Sequence, residues 1–278
     1  MKKYLKRNSL NLQEQINICN LYQNNNYSMQ KIADIYSCSI KPINDILKNN
    51  KIIKRSYTRS LFNENYFEKI DSFDKAYFLG LLMADGCNYK EGFTLSLQER
   101  DYEIIELFKK YIKFTGKINY RKHTNPKYQN ICRIKIHSKV ISEQLSKLNV
   151  IPNKSLSCKF PNIPEEFHSH FIRGVFDGDG SISTYIQKNG IYNYKACSFS
   201  ITGYKDLIND IEKILVKNCK IGFKKKYIKN NNEKILTIKY GGKKDIIKIY
   251  NWLYKDSKEL FIKRKFLKFK EIEKWLIK

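Results

Sequence analysis

The chain has 278 residues, of which 53 are lysine or arginine and 27 are aspartate or glutamate, so its formal net charge at pH 7 is +26. Hydrophobic residues make up 42% of it, which is enough to build folded cores and excludes a disordered basic tail. A charge of this sign and size indicates a polyanionic partner and argues against a neutral metabolic enzyme.

Membrane, secretion and zinc signals are weak throughout the chain. No apolar run approaches the length of a membrane span, and residues 1–15 lack the hydrophobic core of a signal peptide. The 7 cysteines form no CxxC pair, and their odd number is poor evidence for disulfides or a zinc site. We therefore expect no membrane partner and a reducing intracellular location, either the cytoplasm or nucleoid or the matrix of an organelle.

Residues 1–50 predict a small all-α domain of three helices. Ser28 and Ser39 stand at N-cap positions of the second and third helices, which only a short turn separates. This order is typical of a helix-turn-helix DNA-binding domain, whose third helix would present Lys41, Asn44 and Lys48 to DNA. An ordinary three-helix packing unit is the alternative.

A basic linker is expected at residues 51–72, with Lys54 and Arg55 near its start. Cations in such a segment can follow a phosphate backbone, which predicts strongly salt-dependent binding. The rest of the chain predicts a long α+β region.

Two segments of that region nearly repeat each other: residues 78–86 read FLGLLMADG and residues 172–180 read IRGVFDGDG. Their acids, Asp85 and Asp179, recur at one offset of 179 − 85 = 94 residues. Each segment predicts a helix with its acid in the last turn, where the helix dipole disfavours a carboxylate. Both segments place a carboxylate where the helix dipole disfavours it, and this repeated exception indicates a functional site.

The expected ends of these helices follow from capping residues. Asp74 is a candidate N-cap for the first helix, and Pro164 with two following glutamates suits the first turn of the second. Gly86 and Gly180 are expected to end the helices in the left-handed conformation.

Small residues explain how the two acids can meet. Gly80 and Ala84 lie four apart on one helix face, and Gly174 and Gly178 repeat that spacing, so the two helices can pack closely. Two carboxylates brought together repel each other unless one is protonated or a cation sits between them, and oxygen ligands favour Mg²⁺ over zinc. Buried apolar helices with merely solvated acids would not explain why acid and glycine recur together.

Strand-prone stretches follow each acidic segment. They lie at residues 92–98 and 131–137 after the first, and at residues 195–202 and 234–240 after the second. Helical stretches are predicted at 101–112 and 205–215. The order of helix, strands, helix, strands and helix therefore occurs twice.

The paired segments resemble the two signature helices of a single-chain LAGLIDADG homing endonuclease, a family that cuts long DNA sites with one acid from each motif. The second copy matches closely, including Asp177 at the first acidic place. The first copy has Met83 there, but the family's catalytic acid is the later one, matched by Asp85. The resemblance implies a pseudo-twofold pair of αββαββα units, at residues 73–164 and 165–278, whose curved antiparallel sheets form a DNA-binding saddle.

The resemblance also implies site residues. Asp85 and Asp179, with the adjoining Ala84 and Gly178, would bind two or more divalent ions, Mg²⁺ with Mn²⁺ able to substitute. A lysine near each acid is matched by Lys154 and Lys263, although an accidental match is a serious alternative in so lysine-rich a chain. A polar residue on the sheet is matched by Gln98 in the first half, where the second half has Gly203. Basic side chains expected to contact DNA from the sheets are Arg121, Lys122, Arg133, Lys135, Lys195, Lys224, Lys226 and Lys239.

The implied activity is Mg²⁺-dependent phosphodiester hydrolysis that makes a double-strand break in a long DNA target, by a monomer acting on double-stranded DNA. Two alternatives stay open. One is a maturase that helps an intron RNA to fold, and the other is a DNA-binding regulator without cleavage. Retention of both acids favours the enzyme, and no splice-junction residues that would indicate a self-splicing intein are evident.

Overall fold

The computed structural model describes residues 10–25, 27–52, 60–125, 127–152, 157–189, 192–229 and 232–275. The chain divides into two compact units, Met1–Arg59 and Ser60–Lys278. The boundary falls inside the predicted linker, and Lys54 and Arg55 of that linker lie outside the described residues. Tyr66 and Phe67 are buried in the core of the larger unit, so residues 60–72 form part of it.

Three helices form the smaller unit: α1 Leu12–Gln23, α2 Met29–Ile35 and α3 Ile40–Asn49. Asn11 and Glu14 form a capping box at the start of α1, and the Ser28 hydroxyl accepts a hydrogen bond from the Lys31 amide at 3.1 Å. Ser39 occupies the N-cap of α3 without a side-chain bond. The predicted helices are present around a core that includes Ile18, Ile32, Ile43 and Leu47. DNA binding by this unit stays a prediction.

The larger unit contains the predicted helix and strand order twice. The first copy is α4 Phe73–Asp85, β1 Gly86–Tyr89, β2 Gly92–Gln98, α5 Tyr102–Tyr111, β3 Asn119–Arg121, β4 Ile131–His137 and α6 Lys139–Lys147. The second copy is α7 His168–Asp179, β5 Gly180–Asn189, β6 Tyr192–Tyr204, α8 Lys205–Cys219, β7 Tyr227–Lys229, β8 Asn232–Gly241 and α9 Lys243–Tyr254, followed by α10 Lys263–Lys274. The predicted α+β class with two αββαββα units is confirmed.

Each copy builds one four-stranded antiparallel sheet, ordered β1-β2-β4-β3 in the first and β5-β6-β8-β7 in the second. Successive side chains of a strand point to opposite faces of its sheet, so the buried residues identify the face that packs on the core. On β4, Cys132, Ile134 and Ile136 are buried in the core, so Arg133 and Lys135 lie on the opposite face. Among the described residues, no helix combines the length and apolarity needed to cross a membrane.

The two acidic helices, α4 and α7, pack with their backbones in close contact. A Cβ atom added to Gly80 would lie 2.0 Å from the carbonyl oxygen of Phe171, and one added to Gly174 would lie 2.1 Å from that of Tyr77. Neither distance leaves room for a side chain, so only glycine permits this approach. The predicted close packing through small residues is therefore confirmed.

The expected N-terminal caps of these helices differ from the structure. Helix α4 begins at Phe73 with Ser72 at its N-cap, so the assignment of Asp74 as the cap was wrong. Asp74 is buried in the first turn and accepts a hydrogen bond from the Tyr66 hydroxyl, a tertiary contact that local capping rules do not foresee. Residues 165–167 after Pro164 form a 3₁₀ turn that leads into α7.

The expectation of left-handed glycines at the helix ends was also wrong. Gly86 and Gly180 have φ values of −81° and −92°, in the extended region, and they begin β1 and β5. Glycine is needed at both positions because a side chain has no room. An added Cβ would lie 2.4 Å from the Leu82 carbonyl oxygen at Gly86 and 2.5 Å from the Phe176 carbonyl oxygen at Gly180. The chain turns directly from each helix into the first strand of its sheet.

The substitution Gly174→Ala tests the helix contact. Its methyl group would lie 2.1 Å from the Tyr77 carbonyl oxygen, so α4 and α7 must separate. We expect a loss of about 2 to 3 kcal/mol in the free energy of unfolding, measured by urea denaturation. Gly222→Ala is the matched control, because its Cβ would meet nothing within 4 Å. Equal effects of the two substitutions would contradict this account of the packing.

Candidate active site

The two repeated acids lie at the C-terminal ends of the packed helices. Asp85 is the last residue of α4, Asp179 is the last residue of α7, and both are exposed. A Cβ on Gly178, the residue before Asp179, would lie 2.9 Å from Asp85 Oδ2 and 2.3 Å from the Ala84 Cβ. The carboxylate of the first half is thus held against the backbone that carries the acid of the second. Both acids stand at the negative ends of helix dipoles, which attract cations.

A cavity of about 250 Å³ opens beside Asp85. Its polar lining includes Gln98, Asp101, Asp177 and Arg264, so the structure brings Gln98 close to Asp85. Gln98 Oε1 and Asp177 Oδ1 are buried oxygens without a hydrogen-bond partner among the described residues. Unpaired buried oxygens are costly and are usually satisfied by water or an ion.

Asp177 anchors the second acidic helix through hydrogen bonds to two other segments. Its Oδ2 accepts hydrogen bonds from the Tyr77 hydroxyl at 2.8 Å and from the Ile262 amide at 2.9 Å. Burial raises the pKa of the Asp177 carboxyl above its ordinary value, while Lys265 acts in the opposite direction. At the equivalent place the first half has Met83, which is buried. This position therefore holds a buried, hydrogen-bonded acid in the second half and a buried apolar residue in the first.

Lys265 is the buried cation of the site, and the sequence reasoning missed it. Its ammonium donates hydrogen bonds to the carbonyls of Phe176, Asp177 and Gly180 at 2.6, 2.7 and 2.7 Å. Burial lowers the pKa of this ammonium to about 8. The signal that could have found it is helix phase, because Lys265 precedes the buried Phe269 by four positions on α10.

The two predicted lysines have other positions. Lys263 is exposed and pairs with Glu103 at 2.7 Å, and it is not part of the lining beside Asp85. Lys154 lies outside the described residues. Both assignments stay predictions.

Arg264 fixes one wall of the cavity. Its guanidinium donates to Asp101 with Nε–Oδ1 and Nη2–Oδ2 distances of 3.0 and 2.9 Å. Asp101 precedes α5 in the first copy, and Arg264 lies on α10, after the second. This bidentate pair therefore joins the two copies beside Asp85.

The strand register revises the match to Gln98 in the second half. Gln98 pairs with Ile131, the first residue of β4, and Tyr204 pairs with Ile235. The segments ICRIKIH from Ile131 and ILTIKYG from Ile235 align without a gap. Tyr204, and not Gly203, is thus the residue equivalent to Gln98.

The basic residues predicted on the sheets divide into four groups. On β4 and β8, Arg133, Lys135 and Lys239 lie on the face opposite the core; on and after β3, Arg121 and Lys122 are exposed. Lys195 shares the face of buried Cys197 and lies 5.5 Å from the Trp275 ring centroid, away from that polar face.

The remaining two lysines pair with acids of the same chain. Lys224 lies 3.5 Å from Asp245, and Lys226 pairs with the buried carboxylate of Glu212. Glu212 also accepts a hydrogen bond from the Lys224 amide at 2.9 Å. These lysines hold the segment before β7, a role that the sequence did not indicate.

Two of the three predicted contact residues on the third helix of the smaller unit are exposed. Lys41 and Lys48 are exposed and Asn44 is half-buried, on the side of α3 away from the buried Ile43 and Leu47. This placement is compatible with DNA contact but does not test it.

Acidic residues are nearly absent from the segments that build the two sheets. Residues 86–98, 119–137, 180–204 and 222–241 contain 2 of the 27 acids, Glu91 and Glu233. Glu91 lies in the turn between β1 and β2, and Glu233 is near the start of β8. The polar faces of both sheets are therefore suited to a polyanion.

The donor set beside Asp85 fits a hard divalent cation. It includes the Asp85 carboxylate and the unpartnered oxygens of Gln98 and Asp177, all oxygen ligands of the kind that Mg²⁺ prefers. Within the described ranges, no group of three or more His, Cys, Asp or Glu side chains could bind a metal. Such a cation would therefore need further oxygens from water or from a bound phosphate.

Comparison with known proteins identifies the fold. The crystal structure of the LAGLIDADG homing endonuclease I-GzeII in complex with its DNA target is 19% identical, with a TM-score of 0.50 over 72% of this chain and 88% of that one. The LAGLIDADG homing endonuclease I-SmaMI bound to cleaved DNA is 13% identical, with a TM-score of 0.49 over 74% and 89%.

The chain has the LAGLIDADG fold. No protein-family model matches it. Among curated proteins, the DNA-directed RNA polymerase subunit Rpo1C of Methanocaldococcus jannaschii is 29% identical over 137 residues, 49% of this chain. The match spans only 15% of that subunit's length.

The substitution Lys265→Met tests the role of the buried lysine beside the cavity. It leaves three carbonyls without their donor, so we expect the free energy of unfolding to fall by about 2 to 4 kcal/mol in urea denaturation. Lys263→Met, two positions away and exposed, should change it by less than about 1 kcal/mol. A larger loss for Lys263→Met than for Lys265→Met would reverse this assignment.

Proposed function

We propose that this protein is a site-specific DNA endonuclease that makes a double-strand break by Mg²⁺-dependent phosphodiester hydrolysis. The observation that carries the proposal is the contact between α4 and α7, which holds Asp85 against the backbone beside Asp179. Two basic sheets with almost no acids accompany this site within the same unit. I-GzeII, which shares the fold, is described as a homing endonuclease in complex with a DNA target.

The proposed roles follow from position. Asp85 and Asp179 would hold divalent ions together with the carbonyls of Ala84 and Gly178. Such an ion lowers the pKa of a bound water and stabilises charge on a phosphate. Gln98 offers its unpartnered oxygen to the cavity, where it can orient a water molecule.

Two cations stabilise the structure around the acids, one at the end of α7 and one on the wall of the cavity. Lys265 fixes the end of α7 through three carbonyls, which sets the direction of the Asp179 backbone. Arg264 is held by Asp101 on the wall of the cavity, where a guanidinium suits a phosphate oxygen. Lys154 and Lys263 stay candidates for the lysines that polarise water.

Contact with DNA would extend beyond the catalytic unit. The three-helix unit would act as a tethered second reader through Lys41, Asn44 and Lys48 of α3, adding affinity without changing the catalytic residues. Both acids belong to one chain, so a monomer is sufficient for cleavage of both strands.

The substitutions Asp85→Asn and Asp179→Asn test the enzyme. With Mg²⁺ and a DNA library containing randomised sites, the unmodified protein should cut one long target. Each variant should lose at least about 100-fold in the rate of double-strand cleavage, because several kcal/mol of charge stabilisation depends on each carboxylate. Target binding should persist. Chelation with EDTA should stop cleavage by the unmodified protein.

Asp210→Asn is the matched control, because Asp210 is an exposed acid on α8 that pairs with Lys213. DNA binding without any cut, unchanged in the Asp85 and Asp179 variants, would replace the enzyme with a regulator. Binding of structured intron RNA in preference to DNA would instead favour a maturase.

The double substitution of Lys41 and Lys48 by alanine tests the smaller unit. If both lysines contact phosphates, affinity for the target should fall and the slope of log K against log salt should decrease by about 2. Lys217→Ala removes an exposed lysine that pairs with Glu165, and it controls for charge. An unchanged salt slope in the double variant would leave the three helices as a packing unit.

A further inference from the structure

The polar faces of the two sheets can be compared position by position. Arg133 on β4 pairs with Ser96, and Thr237 on β8 pairs with Thr202. The gap-free alignment of ICRIKIH and ILTIKYG makes Arg133 and Thr237 equivalent. Their neighbours Ile134 and Ile238 are both fully buried, so the two side chains occupy the same face of their sheets.

The chemistry at this shared position differs between the halves. Arg133 is half-buried and has no ion-pair partner among the residues that the structure describes. Thr237 is also half-buried, and its hydroxyl lies 2.9 Å from that of Thr202. Lys135 and Lys239, two positions further along, are the same in both halves. At this position the first half therefore has a cation where the second has a hydroxyl and a methyl group.

Apart from Lys239, the second polar face carries mainly uncharged side chains along β5 and β6. Ser183 and Ser198 lie opposite each other with hydroxyls 2.9 Å apart. The β5–β6 hairpin then continues to Asn189 and Tyr192, adding the pairs Tyr185 with Ala196 and Gln187 with Tyr194 on the same face. The β1–β2 hairpin of the first sheet ends after four pairs and has no such extension. The second sheet thus presents hydroxyl, methyl, amide and aromatic groups over a longer span.

These side chains distinguish bases by different means in a major groove. An arginine can donate two hydrogen bonds to O6 and N7 of a guanine, which is the commonest specific contact. Threonine and alanine methyl groups pack against the thymine methyl, and hydroxyls bond to several bases. An unpaired Arg133 is available for the guanine contact, and Thr237 at the equivalent position is not capable of it.

We propose that Arg133 selects a guanine in the half-site under the first sheet, and that Thr237, at the equivalent position of the second sheet, makes no such selection. This inference rests on the proposed function, since it specifies the target of that same enzyme. The half-site under the first sheet requires a G·C pair at a position where its counterpart requires none.

The test is a sequencing selection of DNA bound and cut by the full chain from a randomised library, with two variants that redirect the preference. Arg133→Gln should change the preferred base from guanine to adenine at one position of one half-site, because glutamine pairs with adenine N6 and N7. Thr237→Arg should create a guanine preference of at least about tenfold at the equivalent position of the other half-site. Lys213→Gln, on the exposed side of α8, controls for loss of charge.

The outcomes separate this inference from the proposed function. A change of preference confined to opposite half-sites in the two variants supports the inference. If the unmodified protein cuts one target but neither variant moves a base preference, the asymmetric readout is wrong while the endonuclease stands. If no DNA is bound or cut, the proposed function fails and this inference fails with it. The two variants alter different sheets, so misfolding of one, seen in its thermal unfolding, leaves the other to decide.

Discussion

The contact between the α4 and α7 backbones is the constraint on which the rest of the larger unit depends. Gly80 and Gly174 allow carbonyls of the facing helices to approach where any side chain would clash. This approach places the ends of the two helices together, and each end leads directly into the first strand of a sheet. This one helix contact therefore determines both where the acids lie and where the two sheets begin. The position of the site therefore depends on helix packing more than on the conformation of any loop.

The features that local sequence patterns control were predictable. The repeat, the small-residue spacing and the strands at 92–98 and 131–137 agree with the structure, because periodicity and steric size act over a few residues. The failures involve contacts between distant segments. Asp74 looked like a cap because Tyr66, its actual partner, belongs to a segment read as a linker. Lys224 and Lys226 looked like free cations because Glu212 and Asp245 become their neighbours only after folding.

Lys263 and Lys265 show the same limit of sequence-based prediction at the site itself. Both lie in one lysine-rich run, and a motif match cannot distinguish two positions separated by two residues. The phase of α10 buries Lys265 together with Phe269 and Ile272 and leaves Lys263 exposed. The two halves have also diverged chemically: Asp177 anchors α7 through Tyr77 and Ile262, while Met83 contributes an apolar contact to the same core. A repeated sequence has thus become two non-equivalent environments for two similar acids.

The Asp101–Arg264 pair has a consequence for the order in which the protein is made. Its two members are 163 positions apart, and the later one lies on the last helix that the structure describes. When the ribosome has translated both acidic motifs, it has not yet added Arg264, nor Lys265, which donates hydrogen bonds to the carbonyls at the end of α7. The nascent chain therefore carries both carboxylates well before it carries a finished cavity. Any product truncated ahead of residue 264 keeps the motifs but lacks these two cations.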